Sequence, residues 1–198
     1  MANDMAKKPN VTEIEWSAIE GRNTEFETVY PRLQWVHGDP RAGQGIMKTG
    51  GFFISAEQFP TFNAEGFTKQ TLVTQDGKEI IGFAAKEAKL AVVRIKMQWT
   101  QDDNGKNVPL LQAIVYVKGC EDVLCLSLKG ASKSLVFNKE FQKHIAQNVA
   151  TANKTRPANI NQLEPFALWF PVKAGELSTI SAKDGKSSSK VTYPEIIS

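Results

Sequence analysis

The chain has 198 residues, 41% of them apolar, and a formal charge of +3, which is enough to bury one full core and excludes wholesale disorder. Residues 86–156 hold twelve Lys and Arg against six Asp and Glu, so the rest of the chain is net acidic; such a basic centre suits either a polyanionic partner or a solvated face. No apolar run reaches the roughly 20 residues of a membrane helix, and no apolar stretch follows Lys7 and Lys8 as a signal peptide requires.

The first 28 residues carry Asp4, Glu13, Glu15, Glu20, Glu25 and Glu27 against Lys7, Lys8 and Arg22. This segment is read as acidic and partly disordered, ahead of a single β-rich domain over 29–198. TVYPRLQWV at 28–36 is the first expected strand, with Pro31 marking an irregular start. HGDPRAGQGIMKTGG is too rich in glycine for regular structure and lacks the order of a nucleotide P-loop, although Arg41 and Lys48 lie within reach of a ligand.

GGFFISAEQF reads as a second strand, and QTLVT with KEIIGFAA as a hairpin around Gln75-Asp76-Gly77. From Lys86 to Lys129 three strands follow: KEAKLAVVRIKMQWT, a turn at Asp102-Asp103-Asn104-Gly105, LLQAIVYVKG and EDVLCLSLKG. In the first of them Lys89, Ala91, Val93, Ile95, Met97 and Trp99 share one parity, while Arg94 and Lys96 share the other with Leu90 and Val92. The alternation is therefore imperfect, as for a strand buried partly on both sides.

After LSLKG the period changes. Phe137, Phe141, Ile145 and Val149 recur every four residues, predicting a helix from Lys139 to about Ala152 capped by Asn138 and stopped before Pro157. PFALWFPV is then a short strand, and LSTIS with KVTYPEI a closing pair around Asp184-Gly185. Many strands, one late helix and no βαβ rhythm predict a mainly β fold, an OB-like small barrel of five or more antiparallel strands, with a β-sandwich as the alternative.

PRLQW at 31–35, GGFFIS at 50–55, GKEIIGF at 77–83 and LSLKGAS at 126–132 together resemble a family of uncharacterised proteins carried by cyanobacteria and mobile elements. The layout is also similar to that of phage-type single-stranded DNA-binding proteins with an OB-type barrel. The likeness covers roughly residues 30–190 and implies a fold and a context of replication or mobile elements, not a set of functional residues. One departure is the ending YPEIIS, where bacterial single-stranded DNA-binding proteins end in a flexible acidic tip that recruits partners.

The chemistry follows from which residue types are present. Two cysteines, Cys120 and Cys125, and two histidines, His37 and His144, are too few for structural zinc, so neither metal nor cofactor is expected. Ser127, Ser132 and Ser134 beside Lys129 and Lys133 sketch a serine–lysine dyad, but Ser and Lys commonly cluster at helix starts and no enzyme is expected. Basic strands carrying aromatics suit a single strand of nucleic acid, whose bases stack while its phosphates are neutralised. The candidate site is Arg32, Trp35, Lys48, Phe53, Arg94, Lys96, Trp99, Tyr116 and Lys118, whereas Phe137, Phe141, Phe166 and Phe170 are assigned to the core. The expected function is a cytoplasmic, sequence-independent single-stranded DNA-binding protein, compatible with self-association and with replication or recombination proteins as partners, and with no membrane partner. The alternative is a structural or adaptor protein of a phage or mobile element that binds another protein.

Overall fold

The computed structural model describes residues 30–39, 45–74, 77–102, 105–155, 157, 168–176, 178–181 and 188–197. The acidic segment 1–28, Arg41, Phe166 and the Asp184-Gly185 turn lie outside them. In chain order the elements are β1 (Arg32–Val36), a single helical turn α1 (Ile46–Thr49), β2 (Gly51–Ser55), β3 (Thr68–Val73), β4 (Glu79–Ala85), β5 (Glu87–Gln101), β6 (Asn107–Val117), β7 (Val123–Lys129), α2 (Ala131–Thr155), β8 (Phe170–Ala174), β9 (Ser178–Ser181), β10 (Ser188–Val191) and β11 (Pro194–Ile196).

The mainly β class holds, but the barrel does not close. Among the described residues one sheet of nine strands runs in the order β11-β8-β5-β6-β7-β1-β2-β4-β3, and β9 with β10 forms a separate two-stranded ribbon. β3 and β11 remain edges of the large sheet, and β1 runs parallel to β7 where antiparallel pairing was expected. Hairpin turns join β3 to β4 and β5 to β6. Gly77 (φ +82°) and Gly105 (φ +75°) occupy the left-handed backbone that these turns need and that other residues adopt at a cost.

One core fills the inner face of the sheet. Leu33 and Trp35 of β1, Phe52 and Ile54 of β2, Leu90 and Val92 of β5, and the alternate residues Leu111, Ala113, Val115 and Val117 of β6 join Phe137, Phe141 and Ile145 of α2. Phe141 is the hub. It stacks on Phe137 at a centroid distance of 6.0 Å and meets Phe170 of β8 edge to face at 5.3 Å, arrangements that add to the area buried.

The helix begins eight residues before the expected Lys139. Ser134 explains the difference: it is fully buried, small enough to bring the first turn against the sheet, and its hydroxyl donates to Gly130 O at 2.9 Å. The apolar stripe starts only after this turn, so periodicity alone misses it. Among the described residues no helix is long and apolar enough to cross a membrane.

β5 contains the feature that sets the site. It pairs with β6 in register from Leu90↔Val117 to Val92↔Val115, then resumes at Arg94↔Ile114, so Val93 is an extra residue in a β-bulge. A side-chain period of two loses one step at such a point. Ala88, Leu90 and Val92 face the core before the bulge, and Ile95 and Met97 face it afterwards. Arg94 and Lys96 are thereby turned to the outer face.

Candidate nucleic-acid interface

The outer face of β5, β6, β7 and β1 carries two cross-strand rows. Arg94 lies opposite Ile114, Ile114 opposite Cys125, and Cys125 beside Arg32. Lys96 lies opposite Gln112, Gln112 opposite Ser127, and Ser127 beside Gln34. With strands about 4.8 Å apart, the backbone positions of Arg94 and Arg32 are about 14 Å apart across the sheet. β1, β6 and β7 contain no acidic residue, and the single carboxylate of β5 is Glu87 at its far end.

The floor of the row that begins at Lys96 is polar, whereas Ile114 and Cys125 lie between Arg94 and Arg32. Gln98 donates its amide N–H to Gln112 Oε1 at 2.9 Å, and Gln112 and Ser127 are both buried. Ser127 Oγ is buried without a hydrogen-bond partner, a state costing about 1 to 3 kcal/mol. Lys129 follows on the same face two residues on.

Of the nine expected site residues, Arg32, Arg94, Lys96 and Tyr116 share this face. Tyr116 is 38% exposed, between Ala91 and Val123. The remaining five are placed elsewhere. Trp35 is a core residue, 8% exposed, edge to face with Phe52 at 5.1 Å. Phe53 has the outer parity but is 2% exposed, packed with Ile46 of α1 and Ala84 of β4. Trp99 is 71% exposed, yet after the bulge it shares the parity of Ile95 and Met97 and so belongs to the opposite side from Lys96. Lys48 is exposed on α1. Lys118 lies beyond the end of β6 and forms an ion pair with Glu65 Oε2 at 3.2 Å.

Gln34, Gln98, Gln112, Ser127 and Lys129 were not among the expected residues. Their signal was present: Gln112 interrupts the apolar run LLQAIV and Ser127 the run LCLSL, each at a position that reads as core until a second polar face is considered. The serine–lysine pairing gains nothing from the geometry that is described, since Ser134 Oγ is engaged by Gly130 O. Burial, then the neighbouring Lys129, lowers the Lys133 ammonium below the usual lysine range. Burial raises the Cys120 thiol above its ordinary value, with Asp122 and Glu121 adding to the effect and a backbone hydrogen bond opposing it, which leaves it a poor nucleophile at neutral pH.

A second basic group lies at the end of β1. His37 Nδ1 donates to Thr192 O at 3.2 Å, and Gly38 N–H donates to Thr192 Oγ1 at 3.1 Å. Burial first, then Lys133, depresses His37 to about 4, with the bond to Thr192 opposing the shift. The ring is neutral at physiological pH, so this corner adds no charge to the face. Comparison with family models, curated proteins and solved structures finds no match for this chain.

Proposed function

We propose that the protein binds single-stranded DNA with little sequence preference, in a replication or mobile-element setting, along the outer face of β5, β6, β7 and β1. The observation that supports this reading is the bulge at Val93, which turns Arg94 and Lys96 away from the core and into the rows that end at Arg32 and Gln34. A strand crossing these rows meets cations at its phosphates and amides and Tyr116 at its bases, a combination suited to sequence-tolerant binding. The test is a salt titration of affinity for oligo-dT. Binding should weaken by about 0.7 log units per decade of salt for each phosphate contacted, and an absence of affinity at low salt overturns the proposal.

An adaptor role is the second reading, and exposed apolar side chains favour it. Trp99, Leu135, Val136 and Trp169 are each about half exposed or more, a cost that a protein partner would offset. A partner docked on these residues would hold its affinity as salt rises, which separates the two readings.

A further inference from the structure

Beside the basic face, β1, β2, β3 and β4 enclose a cleft of about 640 Å³, within the size range of small-molecule sites. We infer that this cleft receives a nucleobase of the strand held on the outer face, and that it favours bases carrying an exocyclic amino group. The inference rests on the proposed nucleic-acid reading and deepens it.

The walls are mixed, with one apolar side. Phe53, Leu72 and Ile80 line the cleft, and Phe53 is fixed because Gly82 leaves room for its ring: a Cβ at Gly82 would strike the Phe53 ring and Ile54 O. A flat heterocycle packs face-on against Leu72 and Ile80, which are only partly buried, while Phe53 lies buried against them. The rim decides between base and phosphate. Glu57, Glu79 and Lys78 all line the cleft, a net negative set that disfavours a phosphate, and the two carboxylates accept from an amino group such as cytosine N4.

Donors are also present. Gln58 Oε1 accepts the Arg32 backbone N–H at 3.1 Å, which leaves the Gln58 amide N–H groups to point elsewhere. Ser55 Oγ accepts from Glu57 N–H at 3.2 Å and keeps its own proton to donate. Continuity with the basic face comes through β1 and β2. Gln34 belongs to the row that begins at Lys96, lines the cleft, and is paired in register with Phe53. A strand following that row from Lys96 arrives at the mouth of the cleft.

The test measures fluorescence anisotropy at low salt with three strands of equal length: oligo-dC, oligo-dT and an abasic phosphodiester. Wild-type protein should bind oligo-dC at least about fivefold more tightly than the abasic strand, a packing contribution, with oligo-dT between them. Ile80→Trp, which fills the cleft, should remove most of that difference while leaving affinity for the abasic strand unchanged. In wild-type protein the Ile80 and Leu72 methyl NMR signals should shift on adding oligo-dC and stay in place with the abasic strand, a readout independent of how the variant folds. Base-blind binding, or methyl signals unmoved by oligo-dC, overturns the cleft alone. No binding of any strand overturns the face and the cleft together.

Discussion

Trp35 donates its indole N–H to the backbone carbonyl of Thr192 at 2.9 Å, joining two residues 157 positions apart. The same oxygen accepts from His37 Nδ1, and Thr192 Oγ1 accepts from Gly38 N–H. This corner ties the segment leading into β11, at one edge of the sheet, to the end of β1, five strands along in sheet order. Trp35→Phe keeps an aromatic ring but removes the indole donor and part of a buried ring system, so it should cost about 2 to 3 kcal/mol. That corresponds to a fall in melting temperature of roughly 4 to 12 °C, with DNA affinity unchanged. A loss of affinity in the folded variant would return Trp35 to the binding site.

The same corner gives stability a pH dependence. His37 titrates at about 4 in the folded protein, chiefly through burial and then through Lys133, against about 6.5 in an unfolded chain. The facing groups described are Lys133, with Lys129 behind it, and the Thr192 carbonyl. Because the folded value is depressed, the unfolded state takes up the proton first as pH falls. The contribution is complete above about pH 6.5 and is lost progressively down to about pH 4. His37→Asn retains a side-chain N–H for Thr192 O without titrating, and should flatten the pH dependence of melting temperature over that window. An unchanged slope in the variant would assign the effect to other groups.

Gly82 is a steric requirement rather than a flexible point. It pairs with Ser55 and Gln70 on either side, and the Phe53 ring lies where its side chain would be. Gly82→Ala should destabilise by about 1 to 3 kcal/mol through overpacking, read by chemical denaturation. A variant as stable as wild type would mean that both the Phe53 ring and the backbone at Ile54 can shift at little cost.

Much of the strand order along the chain was legible because Gly77 and Gly105 punctuate it and because Phe137, Phe141 and Ile145 share one helical face. The parallel pairing of β1 with β7 was not, since nothing local in RLQWV or VLCLSLK specifies a partner so distant in sequence. The proposed binding face differs from the expected one for a more specific reason. With an unbroken alternation, Trp99 and Lys96 are assigned faces relative to Leu90, but the apolar residues move from even positions at Leu90 and Val92 to odd ones at Ile95 and Met97, and that switch marks the bulge. Trp35 was misplaced because an aromatic next to a cation reads the same whether its ring turns inward or outward, and Phe53 because the sequence does not show that Ile46 of α1 covers it on the outer face.

The bulge makes the last prediction, which separates charge from exposure. Arg94→Ala and Lys96→Ala each remove a cation from the outer rows, so each should lower the salt slope of oligo-dT binding by about 0.7, the contribution of one phosphate on a single strand. Trp99 is 71% exposed, against 8% for the core Trp35, so Trp99→Ala should change stability by no more than about 0.5 kcal/mol. Its parity places it on the side of Ile95 and Met97, away from Lys96, and its replacement should therefore leave oligo-dT affinity within about twofold, below the stacking contribution of even one base. Lys118→Ala should behave like Trp99→Ala, because Lys118 lies beyond the end of β6, off the two rows, where it holds Glu65. Measured together, the four variants distinguish the surfaces: if Trp99→Ala loses affinity tenfold while staying folded, and Lys96→Ala keeps the wild-type salt slope, the strand follows the inner side of the β5–β6 hairpin and not the outer rows.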